Sequence, residues 1–190
     1  MIELLTLNDF LDSNACSQMI EEMRSAGGSQ AEVYGKGNAG SVDSRVRKVT
    51  RVAVSTETVD FVAGRMLERK TELENYFSVT LSKVEEPQFL HYRPGDYFVA
   101  HQDGNTPLVF DDTRFRKISV VAFLNAASDE PLAETYTGGS LVLHGKYPNY
   151  DLRQAAGNIR GSLAAFRSET THEVEPVAHG ERFTIVSWFQ

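Results

Sequence analysis

His101 and Asp103 stand two residues apart at the end of Phe98-Val99-Ala100-His101-Gln102-Asp103, a stretch that reads as the end of a strand. Alternate side chains of a strand leave on one face, so imidazole and carboxylate would project together into whatever the sheet encloses. That is half of a metal site. One more imidazole from a distant strand would complete two histidines and one carboxylate, the set that leaves one face of an iron(II) ion open to substrate and oxygen. His172 is the candidate, because it follows Thr170-Thr171 at the start of a further strand-like stretch. Ten residues on, Arg182 heads the apolar run Phe183-Thr184-Ile185-Val186-Ser187-Trp188-Phe189. A guanidinium there calls for a partner, since a buried unpaired charge is costly. With His172 and Arg182 each opening a strand, two antiparallel neighbours would bring imidazole and guanidinium into one cavity. An isolated H-x-D arises by chance, so the weight lies in the ordered set.

The elements that must position these residues can be read along the chain. Ile2 to Leu7 reads as a short strand, and Asn8 to Ser13 supplies helix-capping residues. Cys16, Met19, Ile20 and Met23 then recur at helical spacing until Gly27-Gly28 ends the helix. Residues 27 to 44 hold five glycines among small polar residues, a composition for a mobile loop around a brief strand at Ala31 to Tyr34, and such a loop could serve as a lid. Arg45, Arg47, Lys48 and Arg51 follow. Arg45 and Arg47, with Tyr97, are candidate substrate contacts, against the plainer reading of a solvated basic edge.

A second helix is predicted from about Thr56 to Tyr76, with Val59, Val62, Met66, Leu73 and Phe77 near one face. After Phe77 the period changes. Val79, Leu81, Lys83-Val84, Phe89, Leu90, Tyr92 and Tyr97 to Ala100 read as strands with a turn at Arg93-Pro94-Gly95-Asp96. Arg116 to Asn125 is nearly continuous in apolar residues and predicts a strand buried on both faces. Ala126 to Thr137 reads as an acidic loop, and further strands are expected at Gly138 to Leu143, Leu163 to Phe166, His172 to Val177 and Arg182 to Phe189. Short strands after two helices predict a mainly β (α+β) fold, a two-sheet jelly roll with the helices packed outside. The expected organisation is one domain over 1–190, with 1–77 as support and 78–190 as the catalytic core.

Composition bounds the rest. A chain of 190 residues, 41% hydrophobic and 24% charged, can bury one sizeable core. Its net charge of -7 repels phosphate backbones and disfavours nucleic acid as partner. The single cysteine, Cys16, excludes an internal disulfide, and with no signal-like start a cytoplasmic location is expected. No apolar run approaches the roughly 20 residues a membrane helix needs.

In its C-terminal half the sequence resembles the iron(II) and 2-oxoglutarate-dependent dioxygenases, most closely their prolyl 4-hydroxylase-like branch. The resemblance is carried in order by Tyr92 to Asp103, Phe123-Leu124-Asn125, Gly138-Gly139, Gly161 to Phe166, Thr171 to Val174, and Gly180-Glu181-Arg182 through Trp188. It implies a double-stranded β-helix in which His101, Asp103 and His172 ligate Fe(II), Arg182 binds the distal carboxylate of 2-oxoglutarate, and Tyr92 lines the cosubstrate pocket. O2 and 2-oxoglutarate would be consumed, succinate and carbon dioxide released and a C–H bond hydroxylated, with ascorbate as a possible stimulant. A protein or peptide prolyl residue, or a small amino-acid-like metabolite, is the implied substrate; the state expected is monomer or homodimer. Many prolyl hydroxylases of this type carry a tyrosine where this chain has Phe123, so Tyr92 or Thr184 would have to supply the hydroxyl for the distal carboxylate. His91, His144 and His179 read as structural, Trp188 and Phe189 as core, and Gly138-Gly139 as a tight turn.

Two other functions compete. Nucleic-acid dealkylases with the same iron chemistry commonly carry a second arginine shortly after the first, whereas Arg182 is followed only by Phe183 to Gln190. A non-catalytic metal-binding jelly roll, or a zinc hydrolase, would not need a guanidinium ten residues beyond the last ligand.

Overall fold

The computed structural model describes residues 2–190 apart from 32, 36, 42, 105–111, 147 and 150, and of 32–42 no side chain is described. Strand β1 (Leu4–Leu7) leads into α1 (Ser13–Ser25). The Asp12 carboxylate caps this helix by accepting from Ala15 N at 2.8 Å, and Cys16, Met19, Ile20 and Met23 form its buried stripe as their spacing predicts. β2 (Gly28–Gln30), the β3–β4 hairpin (Val33–Gly35 and Gly37–Ser41), β5 (Arg47–Lys48) and β6 (Thr50–Val52) follow. The side chains of the expected lid fall mostly outside the described residues.

The predicted second helix is two helices, α2 (Thr56–Glu68) and α3 (Lys70–Phe77). They part at Arg69, whose N–H turns back to Met66 O at 3.0 Å while its guanidinium reaches Asp9 O at 3.3 Å. This tightened turn, fastened to the β1–α1 connection, redirects the chain without any glycine or proline. The stretch after it is strand-like only at an isolated bridge, Val84 to Phe189. The ladder then runs through β7 (Gln88–Tyr92), β8 (Tyr97–His101), β9 (Ile118–Phe123), β10 (Tyr136–Gly138), β11 (Leu141–His144), β12 (Arg153–Ala155), β13 (Leu163–Arg167), β14 (His172–Val174), β15 (Val177–Gly180) and β16 (Arg182–Phe189).

Two antiparallel sheets result. The larger has the order β1-β13-β9-β16-β7-β6-β2, the smaller β12-β11-β14-β8-β5, and β10 pairs with β15 as a separate ribbon. Residues before 78 thus contribute strands to both sheets, at the edges. The larger sheet is covered twice. Ile118, Val120, Ala122, Phe183 and Ile185 pack toward Met19, Met23, Val62, Met66 and Phe77 of the helices. Val121, Phe123, Leu90 and Tyr92 face Leu141, Leu143 and Val174 of the smaller sheet. β9 is buried along its whole length, as its continuous apolar run predicts.

A further expectation fails. His172 and Arg182 do not sit on neighbouring strands: β14 belongs to the smaller sheet and β16 to the larger, so the two residues lie on opposite walls of the inter-sheet space. The strand between them, β15, turns aside to pair with β10, Tyr136 opposite Gly180. Among the described residues no helix is long and apolar enough to cross a membrane.

Candidate metal centre

The three metal-ligand candidates converge. β14 pairs with β8 so that His172 stands directly opposite His101, and Asp103, just past the end of β8, is anchored by its N–H donating to Ser168 O at 2.9 Å. One ligand atom from each of His101, Asp103 and His172 lies within 4.8 Å of the others. Nε2 of each imidazole is 3.5 Å from a different Asp103 oxygen, Oδ1 for His101 and Oδ2 for His172.

Hydrogen bonds around the cluster determine what it offers. His101 Nδ1 is 2.8 Å from Val99 O, and His172 Nδ1 is 2.9 Å from Thr170 O. A carbonyl can only accept, so each Nδ1 carries the proton and each Nε2 presents its lone pair to the centre. Ser119 Oγ donates to Asp103 Oδ2 at 2.7 Å and lies 3.0 Å from Ser168 Oγ. Burial pushes the Asp103 carboxyl up, but the His172 and His101 imidazoles and the Ser119 hydroxyl outweigh it and hold the group well below the usual carboxylate range. Burial, with His101 beside it, brings His172 down to about 4. At neutral pH His172 is therefore neutral and Asp103 ionised, and two imidazoles with one carboxylate are a donor set that fits iron(II).

Around it stands a supporting layer. Phe98 stacks on His101 with centroids 3.5 Å apart, and Arg47 lies over Phe98 at 4.9 Å. Arg116 donates to Asp103 O at 3.2 Å, is paired twice with Glu85 at 2.9 and 2.7 Å, and covers Trp188 at 3.6 Å. Of the candidate substrate contacts, Arg47 is buried beside this layer. Arg45 is exposed and paired with Asp43 at 3.0 Å, and the Tyr97 hydroxyl donates toward Ser44 O and Arg45 O at 3.2 and 3.3 Å.

Across the inter-sheet space lies Arg182, only 1% exposed. It is the ladder partner of Tyr92. Three rings surround its guanidinium, Tyr92 at 4.8 Å, Phe123 at 5.5 Å and Tyr136 at 5.9 Å. Nη1 donates to Thr184 Oγ1 at 3.2 Å, whereas Nε and Nη2 have no hydrogen-bond partner among the described residues. Two buried donors on a full charge without acceptors mark a place for an anion. Thr184 thus touches Arg182 as an acceptor. Tyr136, absent from the sequence-derived site, is fully buried here, and its O–H has no acceptor among the described residues. Gly139 makes the packing possible: it has φ +62°, and a Cβ there would meet Val177 Cγ2 at 2.9 Å, Arg182 Cδ at 3.1 Å and Tyr136 Cδ2 at 3.4 Å. His91 points the other way from Tyr92, as expected, stacking on Phe183 at 4.4 Å with its Nε2 2.7 Å from Glu181 Oε1.

A jelly roll with this donor set on one wall and an unfilled arginine on the other matches the family model described as 2OG-Fe(II) oxygenase superfamily over residues 87–190. That is more than half of the chain, and the chain belongs to this superfamily. It is accordingly a 2-oxoglutarate-dependent dioxygenase using iron(II) and O2, and a hydroxylase. A PKHD-type hydroxylase of Paracoccus denitrificans (strain Pd 1222) is 27% identical over 190 residues, covering 98% of this chain and 78% of the relative. Among solved structures, a Pseudomonas putida prolyl-4-hydroxylase superposes with a TM-score of 0.73 at 21% identity, covering 100% of this chain and 93% of that one. A Trichoplax adhaerens prolyl hydroxylase, solved with a hypoxia inducible factor oxygen degradation domain peptide fragment, gives 0.68 at 17% identity, covering 100% and 84%. At these identities the structural likeness establishes the fold.

Proposed function

We propose that the chain hydroxylates a prolyl residue of a protein or peptide, with His101, Asp103 and His172 as the iron ligands and Arg182 as the anchor of 2-oxoglutarate. The observation that carries this reading is the buried Arg182, whose Nε and Nη2 face no acceptor. A cavity that keeps a desolvated guanidinium half-satisfied is built for a carboxylate, and the planar fork suits a bidentate one. The prolyl and peptide character is supported by the prolyl hydroxylases whose fold the chain shares.

When bound, iron(II) and 2-oxoglutarate supply the oxidising chemistry: O2 is reduced as 2-oxoglutarate becomes succinate and carbon dioxide, and one oxygen atom enters the substrate C–H bond. The protein's own part is positional. His101 and His172 present Nε2 because Val99 O and Thr170 O hold the Nδ1 protons. Asp103 stays ionised and is oriented by Ser119. Arg182, through Nε and Nη2, orients the cosubstrate from the opposite wall. Tyr92, Phe123 and Tyr136 shield that end from water, which strengthens each charged hydrogen bond.

The test offers proline-containing peptides, free proline and other amino acids to the protein with iron(II), 2-oxoglutarate and ascorbate. The expected result is succinate together with a peptide one oxygen atom heavier at proline. A product only among free amino acids would move the reading to metabolite hydroxylation, and no succinate under any condition would overturn it.

A further inference from the structure

Arg182 is not alone in lacking an acceptor. The Tyr136 hydroxyl, from the β10–β15 ribbon, is also buried; its oxygen lies beside the Arg182 guanidinium, but its O–H meets no acceptor among the described residues. Both side chains pack on Gly139, so ribbon and larger sheet meet there with room for no further side chain. Two chemically matched vacancies, a cationic fork and a phenolic O–H, therefore open beside each other inside one ring-lined enclosure. Chance rarely leaves two such groups together, because each buried donor without an acceptor destabilises the fold by about 1–3 kcal/mol. An occupant with two acceptor oxygens would resolve both.

We infer that Tyr136 donates a hydrogen bond to the distal carboxylate of 2-oxoglutarate beside Arg182, taking from β10 the part that the family resemblance gives to a tyrosine at position 123. The inference rests on the proposed cosubstrate role of Arg182. Phe123 in this chain brings a ring to 5.5 Å from the guanidinium but has no hydroxyl. Thr184 accepts from Nη1 and so first fixes that arm of the guanidinium. Tyr136 has a hydroxyl to give, and it keeps its proton: burial pushes the phenol up, with the neighbouring Arg182 only partly offsetting this.

The experiment is calorimetric titration of 2-oxoglutarate into manganese(II)-loaded protein, where no turnover is needed, together with thermal denaturation of the metal-free protein. Tyr136→Phe keeps the ring. It should weaken 2-oxoglutarate binding roughly 10- to 100-fold, the loss of one hydrogen bond to a charged group. It should leave the affinity for 2-oxobutyrate, which lacks the distal carboxylate, unchanged. The metal-free variant should melt no lower than the parent, since the lost hydroxyl was unsatisfied. Phe123→Tyr added to Tyr136→Phe should restore part of the binding. Unchanged 2-oxoglutarate affinity in Tyr136→Phe, while Arg182→Met abolishes binding, overturns the inference and spares the Arg182 assignment. Absence of binding in the parent overturns both. A lower melting point with unaltered affinity would make Tyr136 a core residue and nothing more.

Discussion

The two walls of the inter-sheet space are finished to different degrees. On the smaller sheet, the imidazole Nδ1 atoms donate to Val99 O and Thr170 O, while Asp103 accepts from Ser119, which reaches it from β9 of the larger sheet, and Arg116, just before β9, braces the Asp103 carbonyl. On the larger sheet, Arg182 leaves Nε and Nη2 empty, and Tyr136 beside it leaves its hydroxyl empty. The proposed metal end is thus pre-organised by protein groups, whereas the proposed carboxylate end leaves its donors open to a ligand. Damage to the first should cost function through lost geometry. Damage to the second should cost affinity while relieving the fold.

The largest effect is expected at Asp103. Asp103→Ala removes the only anion of the donor set, and with it iron binding and succinate production should fall below detection in equilibrium dialysis and turnover assays. Folding should survive, since the sheet pairing of His101 with His172 is a backbone ladder. Turnover persisting in this variant would falsify the metal assignment.

Arg182→Met is the opposite case. The affinity for 2-oxoglutarate should fall at least about 100-fold, because a bidentate charged contact is lost. Metal-free stability should rise by about 1–3 kcal/mol, because a desolvated charge with two empty donors is replaced by an apolar chain of similar length. Denaturant unfolding checks the sign. A destabilised Arg182→Met would mean that the guanidinium is satisfied in the free protein, and the contrast between the walls would disappear.

That contrast was only partly legible in the sequence. His101 and Asp103 announce themselves because a strand repeats every two residues, and the Cys16-Met19-Ile20-Met23 stripe and the β9 run follow from equally local periodicities. Arg182 stands out as a charge heading an apolar run. Tyr136 carries no such mark. It lies in a polar, acidic stretch that reads as a loop, and its strand exists only by pairing with Gly180, far downstream. The opposite-wall arrangement of His172 and Arg182 is hidden for the same reason, since the detour of β15 is a matter of long-range pairing. The break at Arg69 depends on a contact with Asp9 and leaves the helical stripe around it intact.

Ser119→Ala probes how far pre-organisation at the metal end reaches. It leaves all three ligands in place and removes the 2.7 Å hydrogen bond that orients Asp103 Oδ2. Loss of such a supporting bond typically weakens a metal site about 10- to 100-fold. Iron affinity should fall within that range. 2-Oxoglutarate affinity at saturating metal should stay constant, because Ser119 does not reach the Arg182 end. A parallel loss of both would mean that the metal end and the Arg182 end are coupled.

The smallest effect is expected at Thr184, and its size discriminates between two roles. Thr184 could hold the distal carboxylate itself, or it could merely steady Arg182. Oγ1 accepts from Nη1 at 3.2 Å and sits two residues along the same strand face, so its first task is to fix one arm of the guanidinium. Removing it frees that arm but keeps the charge, the other four N–H groups and the three surrounding rings. Thr184→Val preserves the β-branched shape that the strand favours. A lost neutral-acceptor hydrogen bond then amounts to about 1 kcal/mol, or roughly fivefold in affinity for 2-oxoglutarate. A larger loss, comparable to that of Tyr136→Phe, would give Thr184 a direct bond to the cosubstrate. No loss at all would mean that the ring enclosure alone positions Arg182.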